Sequence, residues 1–177
     1  MDLFAKHGVA NVSMQDIADR AETARSTVFK HYPQKHALLA DFFMRLGTTT
    51  LLKAKEKPYT DFRSGMNALF EALGEECIAV QAVLREVAGM TKNNGPLASE
   101  EAEIDNHMIL HISELIELGI KTGEVKSDLD VKEAAELLLC VMTETNHEAI
   151  SRDLVQDLAI NQRNRFEMLF IGLRATN

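Results

Sequence analysis

The 177-residue chain predicts an all-α protein, with an N-terminal three-helix domain carrying a helix-turn-helix and a larger helical domain behind it. Three observations predict this. Only 3 Pro and 9 Gly interrupt the chain, strand-like alternation is almost absent, and apolar residues recur at three- and four-residue steps. Hydrophobic residues make up 46% of the sequence, enough for a buried core. Between Ser13 and Lys35, the stretch SMQDIADRAETARSTVFKHYPQK reads as two short helices in a tight turn. The expected division is residues 1–46 for the first domain and 47–177 for the second.

Met1 to Lys6 reads as a short first helix, closed by Gly8 in the left-handed cap position, with Leu3 and Phe4 covering the helix pair that follows. Ser13 precedes Asp16 by three residues, the spacing of an N-cap hydroxyl and a first-turn carboxylate, so the next helix starts near Met14. Ile17, Ala18 and Ala21 give it a small apolar stripe and leave Gln15, Asp19 and Arg20 outside. The following helix begins at Ala24 or Arg25, with Val28 and Phe29 inward and Arg25, Ser26, Thr27 and Lys30 outward. From Arg25 to Ala37 there is no Asp or Glu, while Arg25, Lys30, Lys35, His31 and His36 supply donors and positive charge. That is the chemistry of a helix that enters the major groove without repelling phosphate. Pro33 stops this helix, and the amides opening the next one, together with Lys35, are placed to grip a phosphate. The expected DNA-contacting residues are Ser13, Gln15, Arg25, Ser26, Thr27, Lys30, His31, Tyr32 and Lys35.

The order from Ile17 to Leu38 resembles the N-terminal domain of the TetR family of transcriptional repressors. Ile17-Ala18 stand in the first helix of the pair, Arg25, Thr27, Phe29 and Tyr32 in the reader, and Pro33-x-Lys35-x-x-Leu38 at the exit. The match covers roughly the first quarter of the chain. It implies a dimer that binds double-stranded operator DNA as a repressor and lets go when a small-molecule effector binds. The chain departs from the pattern at Glu22, where a glycine is usual, and at Ala24, where a serine is usual, each replacement worth about 1 kcal/mol. Phe29 lacks the hydroxyl of the family's usual tyrosine, and Tyr32 is the expected substitute for its phosphate contact. Against the family's longer first helix and basic arm this chain starts short, so a weaker grip on DNA is expected.

The net charge of −8 excludes a protein that coats nucleic acid over its whole surface. Its distribution is uneven. Lys6, Arg20, Arg25, Lys30, Lys35 and Arg45 against Asp2, Asp16, Asp19, Glu22 and Asp41 give the first 46 residues +1, which leaves −9 for the rest. An acidic body confines DNA to the head. Cys77 and Cys140 stand alone in apolar helical patterns and read as reduced packing residues. No leader and no run of about 18 apolar residues is present, so the expected location is the cytoplasm, with no membrane partner.

A connecting helix runs from Lys35 to about Lys55, with Leu38, Leu39, Phe42, Phe43 and Leu46 on one side. Thr60 or Asp61 caps the next, whose stripe is Phe62, Met66, Leu69, Phe70 and Leu73, with Gly74 as its expected bend or end. Val80, Val83, Leu84 and Val87 outline another helix before a polar loop at Thr91–Pro96. From Ser99 a long helix carries Ile104, Met108, Ile112, Leu115 and Ile116, and Gly123 ends it. Met66, Phe70, Met90, His107, Met108 and His111 are the expected lining or edge of an effector pocket, with ordinary core packing as the competing reading. Asp130 caps a helix that is apolar on more than one side, through Leu137, Leu139 and Val141. A last helix from about Asp153 to Arg174 is also rich in apolar residues. Leu138, Met142, Phe166, Leu169, Phe170 and Leu173 are therefore the expected dimer seam of a four-helix bundle.

Glu103, His107 and His111 lie one turn apart and offer three ligands along one helix, yet a metal needs further ligands and supporting partners, so no metal or cofactor is expected. No phosphate loop, nucleophile elbow or HExxH appears, which argues against an enzyme. Two readings stand against the regulator: a helical small-molecule or metal-binding protein with a degenerate DNA-binding head, and a helical metalloenzyme built on those three residues.

Overall fold

The computed structural model describes residues 1–87 and 98–173. Among these, nine α-helices follow in order: α1 (Asp2–His7), α2 (Met14–Arg20), α3 (Arg25–His31), α4 (Lys35–Glu56), α5 (Phe62–Ala79), α6 (Gln81–Val87), α7 (Ala98–Thr122), α8 (Val131–Ser151) and α9 (Leu158–Leu173), with a 3-10 turn at Val155–Asp157 before the last. No strand is present among the described residues, as the helical periodicity requires.

The caps fall where the side chains dictate. Ser13 and Asp16 close a reciprocal capping box at α2, Asp61 and Ser64 close another at α5, and Asp130 accepts the Glu133 amide at 3.0 Å to start α8. Gly8 and Gly123 take φ of +78° and +80° where α1 and α7 end. Gly74 neither bends nor ends α5, which continues to Ala79. A Cβ there would lie 3.1 Å from the Cβ of Ala159, so this glycine lets α9 approach α5 closely.

Two hydrophobic cores result. The head core gathers Phe4, Val9, Val12, Leu39, Ala40 and Val87 from α1, the loop behind it, α4 and α6. The body core lies among α4, α5, α7, α8 and α9, and its centre is aromatic. The Phe166 ring meets those of Phe62, Phe70 and Phe170 at centroid distances of 5.4, 5.6 and 5.5 Å. The boundary expected at residue 46 falls inside α4, an unbroken helix whose first turns belong to the head core. Gln162, buried on α9, donates to the Met142 carbonyl at 2.9 Å and to Asn146 Oδ1 at 2.7 Å, fixing α9 against α8.

Because Phe166 holds three rings at once, Phe166→Ala is expected to cost about 3–5 kcal/mol of stability. Urea unfolding measures it, and a loss under 1 kcal/mol would mean that the aromatic cluster is not the centre of the body.

Candidate functional site

Helices α2 and α3 pack through Ala18 and Val28, both buried, and the turn between them passes through Glu22 at φ +51°. A side chain in this left-handed conformation carries strain that glycine avoids. Ala24 has the extended backbone of an N-cap but offers no side-chain acceptor, so the first amides of α3 lack a side-chain partner.

The outer face of α3 presents Arg25, Ser26, Thr27, Lys30 and His31, all exposed. The Arg25 guanidinium lies 5.0 Å from the centre of the Phe29 ring, a cation–π contact that orients it. Phe29 thus supports the arginine one turn away. Gln15 is exposed on α2 and donates to Asp19 at 2.7 Å. The Ser13 amide and hydroxyl both donate to the Asp16 carboxylate, at 2.7 and 2.6 Å, and hold that carboxyl below its ordinary pKa.

Tyr32 and Lys35 are engaged within the head. The Tyr32 hydroxyl donates to Asp41 at 3.1 Å, and burial together with that carboxylate raises its pKa. The Lys35 ammonium donates to the carbonyls of Val9 and Ala10 at 2.7 and 3.4 Å, tying the α1–α2 connection to α4. In this arrangement the Tyr32 hydroxyl and the Lys35 ammonium are both engaged within the head and brace α3 and α4 from behind.

A cavity of about 160 Å³ opens between α4, α5, α6, α7 and α8. Its walls are mainly apolar, among them Phe43, Leu84, Met108, Leu139 and Met142, and its polar groups are Thr50, Asp105, Thr143, Asn146 and His147. Cys77 also faces it, and burial pushes that thiol up to about 12, which keeps it protonated. Cys140 is exposed on α8. Of the residues expected to line an effector pocket, Met108 does so. Met66 and Phe70 are fully buried in the body core, outside the cavity wall, because α5 turns that stripe toward α7 and α9. His107 points to solvent, and Met90 lies outside the described residues.

His111 is 2% exposed, with Nδ1 3.5 Å from Glu114 and Nε2 buried without a partner among the described residues. It diverges from exposed His107 and Glu103. No group of three metal-ligating side chains occurs among the described residues.

The expected dimer seam divides in two. Leu138, Met142, Phe166 and Phe170 are buried inside the protomer, at 2–5% exposure, so they build its own core and have no surface left for a second chain. Leu169 is 39% exposed, and the Leu173 side chain lies outside the described residues. The apolar residues turned outward on these two helices are Leu137 at 62%, Ile160 at 56%, Met168 at 71% and Ile171 at 66%. Ile160, Met168 and Ile171 share one side of α9 at helical spacing, a signal already present in the sequence. Asp105 also had a signal: it falls three residues before Met108 and seven before Ile112, an acid set into an apolar stripe.

A short helix bearing exposed donors, braced on a second by a tight turn and carried by a helical body with an internal cavity, has the architecture of a helix-turn-helix domain joined to a larger helical domain. Residues 1–42 match the family model described as bacterial regulatory proteins, tetR family. Over 168 residues the chain is 24% identical to the uncharacterized HTH-type transcriptional regulator YdeS of Bacillus subtilis (strain 168), covering 88% of this chain and 82% of that one. A TetR transcription regulator from Haloarcula marismortui ATCC 43049 shares the fold with a TM-score of 0.76 at 19% identity, over 98% of this chain and 93% of the other. Thermus thermophilus FadR, a TetR family transcriptional repressor solved in complex with lauroyl-CoA, gives 0.72 at 18% identity, over 100% and 92%. The chain is thus similar to TetR-family regulators, in sequence over its first 42 residues and in fold over nearly its whole length. No helix among the described residues is long and apolar enough to cross a membrane.

Ala24→Ser is expected to stabilise the protein by about 1 kcal/mol by capping α3, read as a raised denaturation midpoint. Burial lowers the pKa of His111, so the unfolded chain takes up that proton before the folded one does. The stability associated with the neutral ring is complete above the ordinary imidazole value of about 6.5 and declines as pH falls below it. In His111→Gln, the difference in unfolding free energy between pH 7.5 and pH 5.5 should shrink; an unchanged difference assigns the acid loss to other groups.

Proposed function

We propose that the protein is a ligand-responsive repressor that binds a palindromic operator as a homodimer and releases it when a small molecule fills the cavity. The observation carrying this reading is the outer face of α3, where Arg25, Ser26, Thr27, Lys30 and His31 stand exposed without an acid among them. Arg25, Ser26, Thr27 and Lys30 would reach base edges, with Gln15 and the Ser13 cap at the start of α2 nearest the backbone. Double-stranded DNA is therefore the expected partner.

A physical route supports effector control. Ala40 and Val87 belong to the head core and also line the cavity, so the two share a wall. A ligand pressing on Val87 and Ala40 acts on the packing of α1 and α4 directly. If it favours one placement of the head over another, it shifts the population away from the DNA-binding form. The lauroyl-CoA bound by Thermus thermophilus FadR supports a small-molecule effector in this class.

Dimerisation is supported by the outward stripe of Leu137, Ile160, Met168 and Ile171 on α8 and α9, which a monomer leaves in water. Two copies joined there make a four-helix bundle and set two heads at a fixed separation.

Fluorescence anisotropy with DNA from upstream of the gene tests the reader. Arg25→Ala should weaken binding to the operator by about 1–3 kcal/mol and leave the weaker binding to unrelated sequence nearly unchanged. An equal loss on both would remove Arg25 from base reading. The double variant Leu137→Asp, Met168→Asp should sediment as a monomer and lose most of its operator affinity, whereas a persistent dimer would place the seam elsewhere.

A further inference from the structure

The cavity has one polar side in an otherwise mainly apolar wall. Thr143, Asn146 and His147 line it from α8 at three- and four-residue spacing, and Asp105 lines it from α7. Burial raises the Asp105 pKa and the His147 imidazole opposes that rise, so acid and imidazole act on each other within one wall. The Thr50 hydroxyl donates to the Leu46 carbonyl at 2.8 Å and is spent on its own helix. Asn146 is different, because its orientation is set from outside the cavity. Gln162, 1% exposed, donates through Nε2 to the Met142 carbonyl at 2.9 Å and to Asn146 Oδ1 at 2.7 Å. With Oδ1 occupied by a buried donor that is itself held twice, the Asn146 amide nitrogen is the group left to donate to a ligand. Charge then separates the ligand classes. An anion reaches the imidazole only with the Asp105 carboxylate beside it, and a cation draws that carboxylate away from His147. A neutral oxygen accepts from Asn146 and leaves the acid and the imidazole to each other.

We propose that this cavity binds a small uncharged ring compound whose oxygen accepts a hydrogen bond from the Asn146 amide, with its hydrocarbon among Phe43, Leu84, Met108, Leu139 and Met142. The proposal rests on the reading of the cavity as the effector site and names the chemical class that site takes. Size agrees with it: the cavity holds about 160 Å³, close to the roughly 150 Å³ of an apolar protein cavity that takes benzene, which suits one ring with a short substituent. The polar end lies on α8 beside Gln162 of α9, and the apolar end reaches Leu84 on α6, one turn before Val87 in the head core.

Acetophenone, benzoate and 1-phenylethylamine share a ring and a short substituent and differ in charge, and cumene is their counterpart without a polar atom. Each is titrated calorimetrically into the full chain at neutral pH, with release of operator DNA followed in parallel by anisotropy. Acetophenone should bind at least about tenfold more tightly than benzoate or the amine. Asn146→Asp keeps an acceptor for Gln162 and removes the donor, so it should weaken acetophenone about tenfold while cumene changes by less than about twofold. Equal losses for acetophenone and cumene overturn the proposal, since they mean a change of cavity shape rather than a lost hydrogen bond. If that variant does not fold, the ranking of the probes on the unaltered chain decides alone. Benzoate or the amine binding as tightly as acetophenone overturns the proposal and leaves the effector reading standing. Acetophenone that binds selectively without displacing DNA upholds the proposal and overturns the effector reading. No binding by any probe overturns the proposed site.

Discussion

Helix α4 is packed into two cores at once, and the relation between the head and the body follows from that. Leu39 and Ala40 in its first turns close the head core, while Ala54 in its last turns is fully buried in the body core. Between them Phe43, Leu46, Gly47 and Thr50 line the cavity. An unbroken helix of 22 residues cannot move at one end without moving at the other. The same element therefore carries the reader's support, the cavity wall and part of the body. Gly47 is what permits the close passage of α7, since a Cβ there would come within 2.8 Å of Ile104.

Helix α6 completes the link from the other side. It is only seven residues long, yet Val87 enters the head core, Leu84 the body core, and Arg85 and Gln81 reach Asp153 in the turn after α8. Asp153 holds φ at +60°, a conformation its two donors help to maintain. Helix α6 thus touches the head core, the body core and the turn after α8 at once.

Helix α3 itself rests on modest local energies. A strained Glu22 and an uncapped α3 are two small penalties, each comparable to a single hydrogen bond, accepted at the element that would touch DNA. The compensation comes from behind, through Tyr32 on Asp41, Lys35 on the carbonyls of Val9 and Ala10, and Arg25 stacked on Phe29. These contacts hold the exposed face in place without using Ser26, Thr27 or Lys30.

Helix number, most boundaries, the caps at Ser13, Asp61 and Asp130, and the turn at Gly123 were legible in the sequence, because each depends on residues within four positions of one another. The exposed face of α3 was legible for the same reason, since one short helix displays its own residues. Spacing alone could not decide which side of an apolar helix faces its own protomer. Leu138, Met142, Phe166 and Phe170 went inward and Leu137, Ile160, Met168 and Ile171 outward because α5, α7 and the aromatic cluster already occupied one side of α8 and α9. Nor could spacing tell that Met66 and Phe70 fill the core while Asp105 and Met108 face a cavity, or that Lys35 reaches back some 26 positions to Val9. The sequence by itself determined the helices and their polar faces, which follow from local hydrogen bonding and periodicity. Tertiary structure alone decided what each apolar face meets, since burial depends on residues distant in the chain competing for the same volume.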